Sequence, residues 1–183
     1  CASKGDLETI GLDGMTGKEI LTGVGDGSII VDGFGLSVYD DELVVILDET
    51  RVSVDMPKDE FYLSVAPYRE TTHACGIHSA TGCRGELKQE EFFLEFVDSN
   101  GTVIISEKMT SMSNGFIDLW LPRNIEGTLT ITQNGLTTSK LISNRPIGKH
   151  LSRDLLLSTK AENKPSAFVL WTDWSFTKNF MEK

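Results

Sequence analysis

Four side chains that ligate metals or exchange electrons, His73, Cys75, His78 and Cys83, fall within eleven consecutive positions of the segment Thr71 to Leu87, TTHACGIHSATGCRGEL. No other stretch of the chain concentrates thiol and imidazole in this way. Seven residues separate the two cysteines, and Gly76 and Gly82 among them let the backbone fold back, so the sulfurs can meet without a helix. Three chemistries use such a pair. The cysteines can close a disulfide that staples a loop. They can act as thiolates toward a soft metal, or as a redox couple. With both histidines they can form a zinc site, since zinc accepts mixed sulfur and nitrogen ligation. The spacing H-x-C-x2-H-x4-C is not an established finger pattern, which ranks zinc third. In an extended run His73 and Cys75 project to the same side and are natural partners for one site.

A segment of this kind needs a rigid frame, and the chain around it is patterned as strand. Thr16 is placed to cap a short helix through Glu19, Ile20, Leu21 and Val24, which Gly25-Asp26-Gly27 ends. Leu36 to Tyr39, Leu43 to Leu47 and Arg51 to Asp55 read as a small meander, and Pro57-Lys58-Asp59 breaks it. Strand signals then recur at Phe61 to Val65, Glu91 to Val97, Thr102 to Ser106, Phe116 to Leu121, Thr128 to Thr132 and Leu136 to Leu141, with late ones at Leu155 to Ser158 and Phe168 to Trp171. Asp98-Ser99-Asn100-Gly101 and Asn134-Gly135 supply hairpin turns. The expected fold is mainly β: a small α+β N-terminal region over 14–59 and an antiparallel β-sandwich-like, metal-binding domain over 60–183. The cysteine and histidine segment is then a long connection between the sandwich's first two strands, where a rigid sheet can hold a functional loop.

Composition narrows the function classes. The chain has 183 residues, 39% of them hydrophobic and 24% charged, enough for a sizeable core and too apolar for wholesale disorder. A net charge of -10 and a pI near 4.7 exclude nucleic acid as a partner and favour attraction of cations. There is no Ser-His-Asp arrangement, phosphate loop or defensible carboxylate pair. No stretch reaches the length of a bilayer-spanning helix. The sequence starts at Cys1, followed by Ala2, Ser3, Lys4 and Gly5, the pattern of a bacterial lipoprotein after its leader is removed. The expectation is lipidation of Cys1, the membrane being met only through that anchor, and a flexible tether over residues 1–13.

Other residues are weaker candidates. Met109 and Met112 offer thioethers, though packing is the favoured reading of both. Trp120, Trp171 and Trp174 read as core and rim, His150 as a solitary surface imidazole, and Asp40-Asp41-Glu42 as a solvated turn.

The stretch FYLSVAPYRETTHACGIHSATGCRGEL, followed at a distance by NGFIDLWLPR, resembles the CueP family of bacterial extracytoplasmic copper-resistance proteins. The likeness is close over Phe61 to Leu87 and Asn114 to Arg123 and extends in looser form over about residues 14 to 175. It implies a periplasmic or cell-surface copper binder with a small N-terminal dimerisation region, hence a homodimer, and a β-rich C-terminal domain. The family's first two cysteines fall on Cys75 and Cys83, flanked by His73 and His78. The resemblance implies that these bind copper and take part in its buffering, its reduction, or its delivery to an extracytoplasmic acceptor. The family's third cysteine, in a Pro-Thr-Cys-x-Thr-Thr strand, has no counterpart, because the chain reads Pro165, Ser166, Ala167, Phe168, Val169, Leu170 there. Copper(I) favours thiolates in low coordination numbers, so two cysteines suffice for a linear site that a histidine or thioether raises to three. Two thiolates can also reduce two copper(II) ions by forming a disulfide, with the imidazoles receiving copper(II) first. Two readings without copper stand beside this one: a thiol-disulfide protein, and a surface module whose Cys75 to Cys83 bridge is purely structural.

Overall fold

The computed structural model describes residues 7–70, 79–144, 146–147, 150–151 and 167–171, the last three stretches as strands alone. Cys1, His73, Cys75, His78, the Leu155 to Ser158 strand and Trp174 lie outside the described residues. The fold is mainly β, with antiparallel sheets and, among the described residues, one helix of several turns. It divides into two compact units, Cys1–Lys58 with Cys75–Cys83, and Asp59–Ala74 with Arg84–Lys183.

In the first unit, helix α1 (Gly17–Asp26) starts where the capping signal puts it. The Glu19 amide donates to Thr16 Oγ1 at 3.3 Å while the Thr16 amide donates to Glu19 Oε2 at 2.8 Å, a reciprocal pair that satisfies two end amides. Gly27, at φ 83°, closes the helix in the left-handed region. Glycine at position 17 is a packing requirement, since a Cβ there would stand 2.7 Å from the Met56 sulfur and 3.1 Å from the Asp55 carbonyl. Strands β1 (Gly35–Val38), β2 (Glu42–Leu47) and β3 (Thr50–Asp55) form a meander in that order. Its register aligns Leu36, Val45 and Val52 in one buried row and Leu43 with Val54 in the next. Leu7 and Leu12, which the sequence reading puts in a flexible tether, are 6% and 1% exposed, and Leu12 N bonds back to Leu7 O at 2.9 Å. Two leucines in a polar stretch suffice to fold it onto the unit, so the packed chain includes Leu7 to Asp13.

The second unit has two principal sheets. One has the order β12-β4-β7, from Ala167–Trp171, Glu60–Tyr68 and Ile117–Pro122, and the other β6-β5-β8-β9, from Val103–Thr110, Glu91–Asp98, Glu126–Gln133 and Leu136–Ser143. Strands β10 (Pro146–Ile147) and β11 (His150–Leu151) pair as a short ribbon. The core lies between the two principal sheets: Phe61, Leu63 and Val65 of β4 and Ile117, Leu119 and Leu121 of β7 share one cluster with Phe92, Leu94 and Phe96 of β5 and Leu129 and Ile131 of β8. Spacing of two in every strand makes this a sandwich. Asn134 (φ 52°) and Gly135 (φ 78°) form the tight β8–β9 turn that their residue types demand. At the β5–β6 turn, Asp98 Oδ1 accepts the Thr102 amide at 2.7 Å and the Asn100 amide at 2.9 Å, and these bonds hold its carboxyl below the usual range.

One strand outruns its sequence signal. The signal at Phe61 to Val65 stops short, yet β4 continues through Pro67 and Tyr68, where β12 pairs with it from Trp171↔Ser64 to Ala167↔Tyr68. A partner a hundred residues away leaves no local trace.

Candidate metal centre

Of the sequence-derived ligands, Cys83 is the one within the described residues. It ends a tight turn that starts at Ser79. The Cys83 amide donates to Ser79 O at 3.0 Å, and the Gly82 amide donates to Ser79 Oγ at 2.9 Å. The Ser79 amide in turn points at the Cys83 sulfur, 3.4 Å away. The thiol is buried, at 6% exposure, with that amide N–H directed at its sulfur.

The first unit holds this turn. Ala80 N donates to Leu36 O at 3.2 Å, Leu36 N donates to Thr81 Oγ1 at 3.2 Å, and Ser79 bridges Ser37, so the turn adds to the β1 edge of the meander. Sequence reasoning treats this stretch as a free-standing connection within the sandwich. Ser79 and Thr81 carry no hydrophobic period that would announce the pairing.

The limbs flanking the segment belong to the second unit and are tied together there. Glu86 Oε2 accepts the amides of Arg69 at 2.9 Å and Glu70 at 3.0 Å, where the chain leaves β4. The Arg69 guanidinium reaches Gln133 Oε1 at 2.5 Å and Glu90 Oε2 at 3.3 Å, and Gln133 Nε2 donates to Glu90 Oε2 at 2.7 Å. The returning limb is stitched to the β6–β7 turn. Gly85 N donates to Asn114 O at 2.6 Å, Ser111 Oγ donates to Leu87 O at 2.7 Å, and Glu90 N donates to Ser111 Oγ at 3.1 Å. Gly85 and Gly115 cross so closely that a Cβ on Gly85 would sit 2.5 Å from the Gly115 carbonyl oxygen. Only two glycines permit that approach.

Among the described residues, no three His, Cys, Asp or Glu side chains are grouped to hold a metal ion. Met109 packs against the sandwich core, as ordinary packing would have it. Met112 lies half-buried in the β6–β7 turn, its amide donating to Phe116 O at 2.8 Å. Trp120 lies beside Tyr62, ring centroids 5.1 Å apart. Ala167, where the third cysteine of the resembled family is missing, opens β12 and pairs with Tyr68, the last residue of β4.

A family model described as periplasmic copper-binding protein CueP matches residues 31–150, which include His73, Cys75, His78 and Cys83. The chain belongs to the CueP family. Among solved structures it is similar to the crystal structure of S.CueP, at 37% sequence identity and a TM-score of 0.72, over 79% of this chain and 91% of that one. No curated protein matches it. The family is one of periplasmic copper-binding proteins. No helix among the described residues is long and apolar enough to cross a membrane.

Proposed function

We propose that this chain is an extracytoplasmic copper-binding protein that holds copper(I) between Cys75 and Cys83, with His73 or His78 as third ligand. The family match carries the reading, since it spans all four residues. Supporting it, Cys83 is held in a fixed turn, its sulfur 3.4 Å from the Ser79 amide, and thiolates suit copper(I). In this reading His73 and His78 receive copper(II), and oxidation of the two thiolates to one disulfide supplies two electrons, enough to reduce two copper(II) ions to copper(I). Copper(I) then passes to an extracytoplasmic acceptor. The N-terminal region over residues 14–59 is the homodimer contact and takes no part in ligation.

The β12 register makes Ala167 the position to test, because it stands opposite the last residue before the segment leaves β4. Histidine binds copper(I) less avidly than thiolate, so a site with two cysteines retains copper less tightly than one with three. Competition with a copper(I) chelator in reductant is the experiment, run on the parent chain, on Cys83→Ser and on Ala167→Cys. The parent binds one copper(I), Cys83→Ser loses it, and Ala167→Cys gains about tenfold or more in affinity, about 1.4 kcal/mol. Undiminished binding by Cys83→Ser would remove this site from the protein.

A further inference from the structure

We propose that Glu86 is a positioning residue for the cysteine and histidine segment, acting as the clasp at its neck. One carboxylate oxygen collects two consecutive amides, Arg69 N and Glu70 N, in the manner of a backbone nest closing on an anion, and here the anion is the chain's own. These bonds join the residues that lead into the segment to its far end beyond Cys83, with 15 residues between Glu70 and Glu86. The Gly85 to Gly115 crossing and the Ser111 bonds fix the returning limb. None of these reaches the departing limb, which is tied to the returning one by the Arg69 side chain at Glu90 and, at the backbone itself, by Glu86.

The consequence rests on the reading that Cys75 and Cys83 act as a pair. Bringing two sulfurs together within an open loop costs closure entropy that rises with loop length. A clasped neck removes part of that cost in advance and so raises the effective concentration of one thiol at the other. The clasp therefore acts on any event that needs both sulfurs, whether disulfide formation or copper(I) ligation, without touching metal itself.

The test is thiol-disulfide exchange of the copper-free protein with glutathione, in which the two thiols and glutathione disulfide give the protein disulfide and two glutathione molecules. It is run on the full chain, on Glu86→Ala and on Glu86→Gln, with circular dichroism reporting the fold. Glu86→Ala lowers the equilibrium constant for disulfide formation by about tenfold, while Glu86→Gln, whose amide oxygen still accepts both N–H groups, stays within about twofold of the parent. Copper(I) affinity follows the same order. A merely structural carboxylate would move the melting point and leave the exchange constant in place. An exchange constant in Glu86→Ala within twofold of the parent overturns the proposal, as does an equal loss in Glu86→Gln. Hydrogen exchange of the Arg69 and Glu70 amides is a second measurement that needs no variant; fast exchange of both in the parent also overturns it. If exchange responds but the parent binds no copper, the clasp stands and the copper reading falls.

Discussion

Strands β4 and β5 contribute to the same core but differ in how they meet the rest of the protein. β5 alternates, with Phe92, Leu94 and Phe96 inward and Glu91, Phe93 and Glu95 outward. β4 is buried at every position from Phe61 to Pro67. Its core face carries Phe61, Leu63 and Val65, and its second face carries Tyr62, Ser64 and Ala66, so polar atoms on that side need partners. Ser64 Oγ donates to Asp118 Oδ1 at 2.6 Å, and the Tyr62 ring lies against that of Trp120, centroids 5.1 Å apart. A strand with one wet face tolerates change there, whereas one buried on both faces is held in place. β4 is the strand from which the cysteine and histidine segment departs, so it fixes one end of a connection whose chemistry needs geometry.

The largest effect should come from the core face that both strands share. Leu94→Ala on β5 and Leu63→Ala on β4 each remove a fully buried side chain and should destabilise by about 2–5 kcal/mol. Phe93→Ser, at a ring 40% exposed on the outer face of β5, should cost far less than either. Urea unfolding of the three variants checks the order. A Phe93→Ser penalty equal to that of Leu94→Ala would mean that the outer face of β5 is covered, and the contrast between the strands would go.

The second face of β4 makes a prediction about pH. Burial lifts the Asp118 carboxyl above its ordinary value, with the hydrogen bond from Ser64 pulling the other way. The Tyr62 phenol is itself pushed far upward by burial and by the Asp118 charge, so it stays neutral. A carboxyl whose folded pKa is raised binds its proton more tightly folded than unfolded. Below the unfolded value near 3.8 both states are protonated and the group has no effect on stability. As pH rises from there through the folded value, the folded state must ionise a buried acid, and stability is lost across that window. Asp118→Asn removes the titration. The stability of the parent relative to Asp118→Asn should therefore fall as pH is raised from about 3.8. Parallel curves for the two proteins across this range would show that Asp118 is solvated and the second face open.

What the sequence made legible divides along the same line. The Thr16 to Glu19 capping box, the Asn134-Gly135 turn and the alternation in β5, β7 and β8 depend on neighbours within a few residues, and each appears where its residue types call for it. The extension of β4 over Pro67 and Tyr68, the docking of Ser79 to Cys83 on β1 and the reach of Glu86 to Arg69 depend on partners far along the chain. Such contacts have no period to betray them, and serine, threonine and glutamate in a polar stretch look like ordinary loop. The same holds for Leu7 and Leu12, too few to form a pattern yet enough to anchor the start of the first unit. The cysteines and histidines were conspicuous for the opposite reason: their chemistry can be read residue by residue.

The smallest effect concerns the outer strands of the four-stranded sheet. β6 and β9 are its outer strands, and each turns one charge toward the core face: Glu107 stands opposite Leu94, and Lys140 opposite Leu129. Partial burial lowers the pKa of Lys140, as desolvation of an ammonium requires. A charge on the inner face of an edge strand contributes little to folding, but a second strand added at that edge would have to bury it, which guards against edge-to-edge pairing. Val103, Ile104 and Leu141 are exposed on these same strands, so the protection has something to protect. Lys140→Val and Glu107→Val should change unfolding free energy by about 1 kcal/mol or less. Their effect should appear in concentration-dependent self-association, measured by light scattering or sedimentation, with the double variant associating most. A double variant that stays at the parent's association state at high concentration would mean that these edges are shielded by some other part of the chain, and that the two charges are incidental to it.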